Sequence, residues 1–205
     1  MSDAAKPSAS TRMTSWGAPL MLIALGALLS IWVRLNPSRF GAQPKDSILT
    51  GLPLLALLVF AFVRAAVSSA GRVSDLLLTW LVAFLMALHT VLLAVSIGLI
   101  TDLGVWVPIA TGILFVGLGP TMAMLEPGSM MGLRVKATLG DPMIWRRTHR
   151  FLGAGFAGFG VVGAGVALVD PKPAIAIMAV GPLAWMFLAS ARARAEESAA
   201  RTRPP

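Results

Sequence analysis

The chain has 205 residues, of which 57% are hydrophobic and 13% charged, with a net charge of +8 and a mean hydropathy of +0.80. Soluble domains use about 25% charged residues and leave much of their surface to water, so this composition excludes an ordinary soluble globular protein and predicts a chain surrounded by lipid. The absence of cysteine excludes disulfide frameworks, thiolate zinc sites and cysteine-ligated iron–sulfur clusters.

Six apolar stretches divide the chain. Each is about 18–25 residues long, which at ~1.5 Å of rise per residue matches the ~30 Å hydrocarbon core of a bilayer. Because backbone polar groups in lipid must pair within their own segment, we predict an all-α, polytopic membrane protein with six transmembrane helices in a bundle over residues 16–191. The predicted spans are residues 16–33, 48–70, 76–100, 105–125, 151–169 and 173–191. We expect a disordered N-terminal tail over residues 1–15 and a polar C-terminal tail over residues 192–205.

The basic residues lie mostly on one side of these spans. With a cytoplasmic N-terminus, twelve of the lysines and arginines fall on the cytoplasmic side and four in the outer loops. This is the positive-inside distribution, so both termini are predicted to be cytoplasmic. Membrane topology thus accounts for the high net charge, and we do not expect direct binding of nucleic acid.

Two ionisable side chains fall inside the predicted spans. Arg64, toward the inner end of the second span, is close enough to the cytoplasmic headgroups to snorkel. His89 lies near the middle of the third span, where it either packs as a neutral imidazole bonded to a carbonyl or a threonine (Thr90 or Thr111) or serves as a proton relay or ligand site. No acidic residue lies deep in a span, and His149 falls just outside the membrane. We therefore expect neither a carboxylate site for ion coupling nor a bis-histidine haem.

The longest polar segment between spans is the cytoplasmic loop 126–150. In it Asp141 is followed by Pro142, an N-cap and a first-turn proline that predict the start of a helix running without interruption into the fifth span. One face of this helix is expected to pack against the rim of the bundle, and another to meet anionic headgroups. The first face carries Trp145, Thr148, His149 and Leu152, and the second carries Arg146 and Arg150.

The fifth span is rich in small residues spaced four apart. Such pairs let the backbones of two helices approach closely, either within the bundle or between copies of the chain, so a homo-oligomer formed through this helix is one expectation. The pairs are Gly153 and Ala157, Ala154 and Gly158, and Gly160 and Ala164.

The loop and the start of the fifth span also carry a recognisable motif. It comprises Gly132-Leu133-Arg134, Thr138-Leu139, Trp145, Thr148-His149-Arg150 and Gly153. These residues and their spacing resemble the signature of SdpI-like bacterial immunity membrane proteins, roughly Gly-Ile-Arg-Thr-Pro-Trp-Thr-Leu, a short acidic spacer, then Trp-x-x-Thr-His-Arg and a glycine. The chain departs from that signature at Val135-Lys136-Ala137, which replaces Thr-Pro-Trp, and at Arg39, which replaces a histidine of the first outer loop.

The resemblance implies a non-enzymatic protein of the bacterial cytoplasmic (inner) membrane that confers resistance to a membrane-active peptide toxin or bacteriocin. In the best-known branch of the family the immunity protein also holds a transcriptional repressor at the membrane, so a cytoplasmic repressor is an implied partner. The residues implied to form a binding loop are Arg134, Trp145, Thr148, His149 and Arg150. No cofactor or metal is implied, and the sequence offers neither a nucleophile–base pair nor a metal-ligand cluster that would suggest an enzyme.

The residues also leave open a small transporter or permease subunit. Its path would be lined by His89 and by kinks at Pro120 and Pro182, where proline removes a backbone donor from the helix. An assembly subunit that uses the glycine-rich fifth span is a further alternative.

Overall fold

The computed structural model describes residues 9–39, 46–66, 72–127, 129 and 131–202. Within these ranges the backbone forms seven α-helices and a short 3₁₀ turn at Pro37–Arg39, which confirms the all-α class. The helices are α1 (Ala9–Leu35), α2 (Asp46–Ala66), α3 (Arg72–Ser96), α4 (Leu103–Ala123), α5 (Lys136–Gly140), α6 (Pro142–Ala167) and α7 (Pro171–Arg201). They divide into two compact units, Met1–Leu103 and Gly104–Pro205.

Five helices of the described chain are long and apolar enough to cross a membrane, namely α1, α3, α4, α6 and α7, so the prediction of a multi-pass membrane protein is confirmed. The second predicted span corresponds to α2, whose apolar stretch within the described residues, Leu49–Val63, is shorter. The whole of α2 has 21 residues, or about 31 Å. Six crossings, and with them two cytoplasmic termini, stay a prediction. The side chain of Arg64 lies outside the described part of the chain, so its snorkelling also stays a prediction.

The described parts of both predicted tails are almost entirely helical, while residues 1–8 and 203–205 lie outside the described part of the chain. α1 begins at Ala9, within the segment expected to be disordered, and α7 continues to Arg201, well past the predicted end of the sixth span. The cause in α7 is local, because Arg192 pairs with Glu196 and Glu197 with Arg201, each pair four residues apart. Pairs at this spacing contribute about 0.3–0.5 kcal/mol each and favour a helix over a solvated tail.

In the unit Met1–Leu103, each of the three helices packs against the other two. The centre is filled by apolar side chains. They are Ile23, Ala56, Phe60, Leu78, Val82 and Met86. The absence of a side chain at Gly26 lets α3 approach α1, since a Cβ there would lie 2.6 Å from the Met86 sulfur and 3.6 Å from Cδ2 of His89.

In the unit Gly104–Pro205, α4 and α6 cross at two glycine pairs. A Cβ on Gly112 would lie 2.6 Å from the carbonyl oxygen of Gly160, and a Cβ on Gly160 would lie 2.6 Å from that of Gly112. Gly119 and Gly153 face each other in the same way, with 2.5 Å between a Cβ on Gly119 and the Gly153 oxygen. Only residues without a side chain fit at these crossings, because the obstacle is backbone.

The small residues of the fifth predicted span therefore meet α4 within the unit. Gly153 and Gly160 face backbone of α4, and the Cβ atoms of Ala157 and Ala164 lie 2.8 Å from the positions that side chains on Gly119 and Gly112 would occupy. Gly158 is different, since a Cβ there would meet no atom within 4 Å. The predicted close approach thus occurs inside the chain, and self-association through this helix stays a prediction.

α7 packs on another side of α6. The Trp185 indole donates its N–H to the carbonyl oxygen of Phe151 at 2.9 Å and stacks on the Phe151 ring with centroids 4.3 Å apart. A Cβ on Gly155 would overlap with this indole. α5 completes the packing through a small apolar cluster formed by Ala137, Ile144 and Ala193.

Candidate functional site

The motif residues are positioned by the start of α6. As the sequence predicts, Asp141 caps this helix: its Oδ1 accepts the N–H of Met143 at 2.6 Å, and Pro142 occupies the first turn. The helix then runs without interruption to Ala167. Because the cap and the span form one continuous helix, the span fixes the direction of every side chain in its first turns.

The two predicted faces of this helix are confirmed. The buried face contains Trp145 and His149, both 0% exposed, Leu152 at 2% and Thr148 at 3%. The exposed face contains Arg146 and Arg150. Three of the five residues expected to form a binding loop, Trp145, Thr148 and His149, therefore face the protein interior rather than an open surface.

The indole of Trp145 ties α6 to the chain that follows α4. Its Nε1–H donates to the carbonyl oxygen of Leu125 at 2.9 Å, two residues beyond the end of α4 at Ala123. The imidazole of His149 stacks on this indole, with ring centroids 4.1 Å apart and planes inclined by 22°. The two rings form one stacked aromatic pair, with the ring nitrogens at its edges.

Both ring nitrogens of His149 form hydrogen bonds with backbone groups. Nε2 accepts the N–H of Leu133 at 3.0 Å, and Nδ1 lies 2.9 Å from the carbonyl oxygen of Trp145. Because a carbonyl can only accept, the proton belongs on Nδ1, and a single neutral tautomer satisfies both bonds. His149 thus serves as a neutral bridge between α6 and the loop, and a second proton on Nε2 would remove the acceptor that Leu133 uses.

Gly132 and Thr138 complete this contact. Gly132 has a φ of +109°, and a Cβ there would overlap with Nε2 of His149 and lie 2.9 Å from Cδ2. Thr138 is 2% exposed, and its Oγ1 accepts the N–H of Val135 at 3.1 Å while lying 2.8 Å from the carbonyl oxygen of Leu133 as a donor. The loop is therefore held at several points. We call Gly132, Leu133, Thr138, Trp145 and His149 the loop clamp.

Sequence reasoning found part of the clamp. Trp145 and His149 are predicted binding residues, while Gly132, Leu133 and Thr138 belong to the motif without an assigned role. The role of Leu133, and the part that Leu125 plays as the partner of Trp145, were missed because both act through backbone groups, which no side-chain pattern marks. The role of Gly132 could have been found, since a glycine outside a helix is the usual residue at a positive φ.

Arg134 and Arg150 lie on the surface beside the clamp. Both are exposed, and within the described ranges neither forms an ion pair. By contrast, Arg147 and Arg192 both engage Glu196, with N···O distances of 3.8 and 3.1 Å. The structure thus separates the predicted loop residues into a buried group that holds the loop and an exposed basic pair.

His89 belongs to the other unit and is 0% exposed. Its Nε2 lies 2.8 Å from Oγ of Ser30 on α1, and that hydroxyl also donates to the carbonyl oxygen of Gly26 at 3.2 Å. The expected partners Thr90 and Thr111 instead donate to carbonyl groups of their own helices. Neither of the two expected threonines is therefore the partner of His89. The partner is a serine on another helix, and a hydrogen bond between helices can stabilise packing in a membrane.

Two observations bear on the alternative functions. In the part of the chain that the structure describes, no group of three or more histidine, aspartate or glutamate side chains could hold a metal ion. A groove of about 260 Å³ beside α1 and α3 is lined by apolar side chains and Thr90. A polar solute would find one hydroxyl in this groove, so it gives no support to a transport path.

The hydrogen bond of Trp145 can be tested by substitution. The Trp145→Phe variant keeps an aromatic ring, leaves the Leu125 carbonyl without its donor inside the protein, and also loses part of the packing of the larger indole. We expect a loss of about 1–3 kcal/mol in unfolding free energy, the usual penalty for an unpaired buried polar group. Denaturant titration of the protein in detergent measures this loss.

Trp106→Phe is the matched control, because Trp106 is 43% exposed and substitutions at the surface change the unfolding free energy by no more than about 0.5 kcal/mol. Equal losses in the two variants would contradict the clamp.

Comparison with known proteins gives one match. Residues 124–191 match the model of the SdpI/YfhL protein family. This segment contains the loop clamp, α5, all of α6 and α7 as far as Ala191, so the resemblance predicted from the loop is confirmed over it. No curated protein and no solved structure matches the chain.

Proposed function

We propose that this protein is a non-enzymatic, SdpI-like immunity protein of the bacterial inner membrane that confers resistance to a membrane-active peptide toxin. The observation that carries the proposal is the coincidence of the family match with the loop clamp. The motif side chains are used in internal hydrogen bonds: the indole N–H and both imidazole nitrogens already have backbone partners. These residues hold the loop in place, so contact with a partner falls to the exposed side chains of the same loop.

Arg134 is the exposed residue of the loop segment that the clamp holds in place. Leu133 is half-buried against the cluster that contains Leu152 and Phe156, and Val135 is half-buried against the cluster around Ala137. Side chains alternate between two sides of an extended segment, so Arg134 between them points outward, and it is exposed. The Leu133 bond to His149 fixes this register. A one-residue shift would bury the guanidinium.

The proposed mechanism has two parts. The helices contact the toxin laterally within the bilayer or block its assembly there. The exposed guanidinium groups of Arg134 and Arg150 offer a docking surface on the cytoplasmic side for a regulator with carboxylate groups. A guanidinium on a fixed segment can donate two parallel hydrogen bonds to a carboxylate, and preorganisation reduces the entropy lost on binding.

Expression in a toxin-sensitive bacterial strain tests the proposal. Cells that produce the protein should survive at least one of a panel of membrane-active peptides that kills the parent strain. If protection also requires a partner docked on Arg134 through a charge-assisted contact, Arg134→Ala should lower the highest toxin concentration that the cells survive by about tenfold, as expected for the loss of roughly 1.5 kcal/mol.

Lys136→Ala is the matched control, because Lys136 is an exposed cation two residues away that lies on α5. It should protect as well as the unaltered protein, with membrane abundance of each variant verified by immunoblot. Unchanged killing by every peptide in the panel would refute the immunity role. Equal loss in the two variants would refute the specific role of Arg134 and leave only a general effect of charge.

A further inference from the structure

One exposed side of α6 changes character along its length. Its residues follow one another at intervals of three or four, which places them on one stripe of the helix. They are Arg146, Arg150, Ala154, Gly158 and Val161, and all are exposed. The stripe is cationic where α6 begins and apolar from Ala154 onward, within the segment predicted to enter the hydrocarbon.

The two arginines of the stripe lack acidic partners within the described residues. Nη2 of Arg146 lies 3.2 Å from the sulfur of Met143, which carries no charge. The nearby carboxylate of Glu196 already engages Arg147 and Arg192. Two guanidinium groups four residues apart on a helix repel each other, and an anion between them would attract both.

The apolar part of the stripe is shallow. Ala154 carries only a methyl group, and a Cβ on Gly158 would meet no atom within 4 Å. Val161 farther along is 63% exposed. A flexible hydrocarbon chain can lie along such a surface at van der Waals distance from the helix backbone.

We infer that this stripe binds an anionic phospholipid, with the phosphodiester on Arg146 and Arg150 and an acyl chain along Ala154 and Gly158. The lipid carries its charge and its hydrocarbon in the same order as the stripe does. A second copy of the chain is disfavoured, because two parallel copies meeting on this face in one membrane would bring their four guanidinium groups together. An acidic soluble protein matches the arginines but has nothing to cover the apolar part.

Native mass spectrometry of the full-length, delipidated protein in mild detergent tests this inference. The probes are dioleoyl phosphatidylglycerol and dioleoyl phosphatidylcholine, which differ in net charge and share acyl chains. We expect the protein to bind phosphatidylglycerol about 25-fold more tightly, since each of the two arginines near the headgroup contributes roughly a factor of five. The double variant Arg146→Gln/Arg150→Gln should lose this preference.

The matched control is Lys136→Gln/Arg194→Gln, which removes two exposed cations from α5 and α7 and should keep the preference. Gly158→Leu provides an independent variant, because its side chain occupies the apolar part while the helix tolerates it. It should weaken both dioleoyl lipids several-fold and leave the preference between them intact.

Three kinds of result would overturn the inference, the last of them in either of two forms. The first is equal binding of both lipids by the unaltered protein. The second is an equal loss of preference in the control pair, which would mean a diffuse charge effect. The third is displacement of phosphatidylglycerol by soluble polyglutamate through the same arginines, or a dimer in light scattering that the double variant abolishes. These would assign the stripe to an acidic protein or to a second copy.

Discussion

Gly153→Ala is expected to destabilise the unit Gly104–Pro205 by about 3 kcal/mol, the upper range for overpacking a closed contact. The added methyl group would overlap with the carbonyl oxygen of Gly119 and lie 3.4 Å from the backbone nitrogen of Ala123. These are backbone atoms of α4, which cannot rotate away as a side chain can. The helices must separate, and the second glycine crossing at Gly112 and Gly160 loses its contact as well.

The same substitution one turn farther along the helix should act in the opposite direction. Gly158→Ala adds a methyl group that meets no atom within 4 Å, so its effect is the gain in helix propensity, about 0.5–1 kcal/mol. Unfolding of each variant by sodium dodecyl sulfate, followed by circular dichroism in mixed micelles, measures both changes. If Gly153→Ala were as stable as Gly158→Ala, the close crossing of α4 and α6 would be incorrect.

Gly132→Ala is expected to disconnect the loop from α6. A φ of +109° is a region that residues with a side chain rarely adopt, at a cost of about 1–3 kcal/mol. The new Cβ would also displace Nε2 of His149, which leaves the N–H of Leu133 without its acceptor. We expect a total loss of about 3 kcal/mol in unfolding free energy and, in the toxin assay, a loss of protection as large as that of Arg134→Ala.

Two comparisons isolate the cause. Gly140→Ala lies at the end of α5, where a Cβ meets nothing within 4 Å, and should be nearly neutral. In a His149→Ala background, Gly132→Ala should lower the unfolding free energy by less than it does in the unaltered protein, because the clash with the imidazole is absent and only the backbone strain persists. A cost for Gly132→Ala no larger than for Gly140→Ala would exclude the strained contact.

The sequence predicted best what depends on neighbouring residues. Asp141 and Pro142 start a helix because capping involves atoms only two residues apart, and the structure has that bond. The division of α6 into a buried and an exposed face follows from helical periodicity and is likewise confirmed. Local chemistry also explains the difference at the C-terminus, where polar composition suggests a disordered tail but ion pairs four residues apart favour the continuation of α7.

Partners on distant segments of the chain could not be predicted. Ser30 as the partner of His89, and the Leu125 carbonyl as that of Trp145, depend on how far one helix is shifted along another. Nothing within a single span encodes that shift. The small residues of α6 indicated close approach in the same way, but whether Gly153 would face α4, α7 or another copy required the three-dimensional packing.

The stacking of Trp145 on His149 has a consequence for motion. Each ring holds a different point of the chain, Leu125 in one case and Leu133 in the other, yet the rings shield each other from solvent. Displacement of either ring would expose the other to solvent. The hydrogen bonds to Leu125 and Leu133 should therefore break together in a single cooperative step. The indole N–H of Trp145 and the amide N–H of Leu133 should accordingly show the same opening free energy in hydrogen–deuterium exchange, once each observed rate is divided by the intrinsic exchange rate of its group.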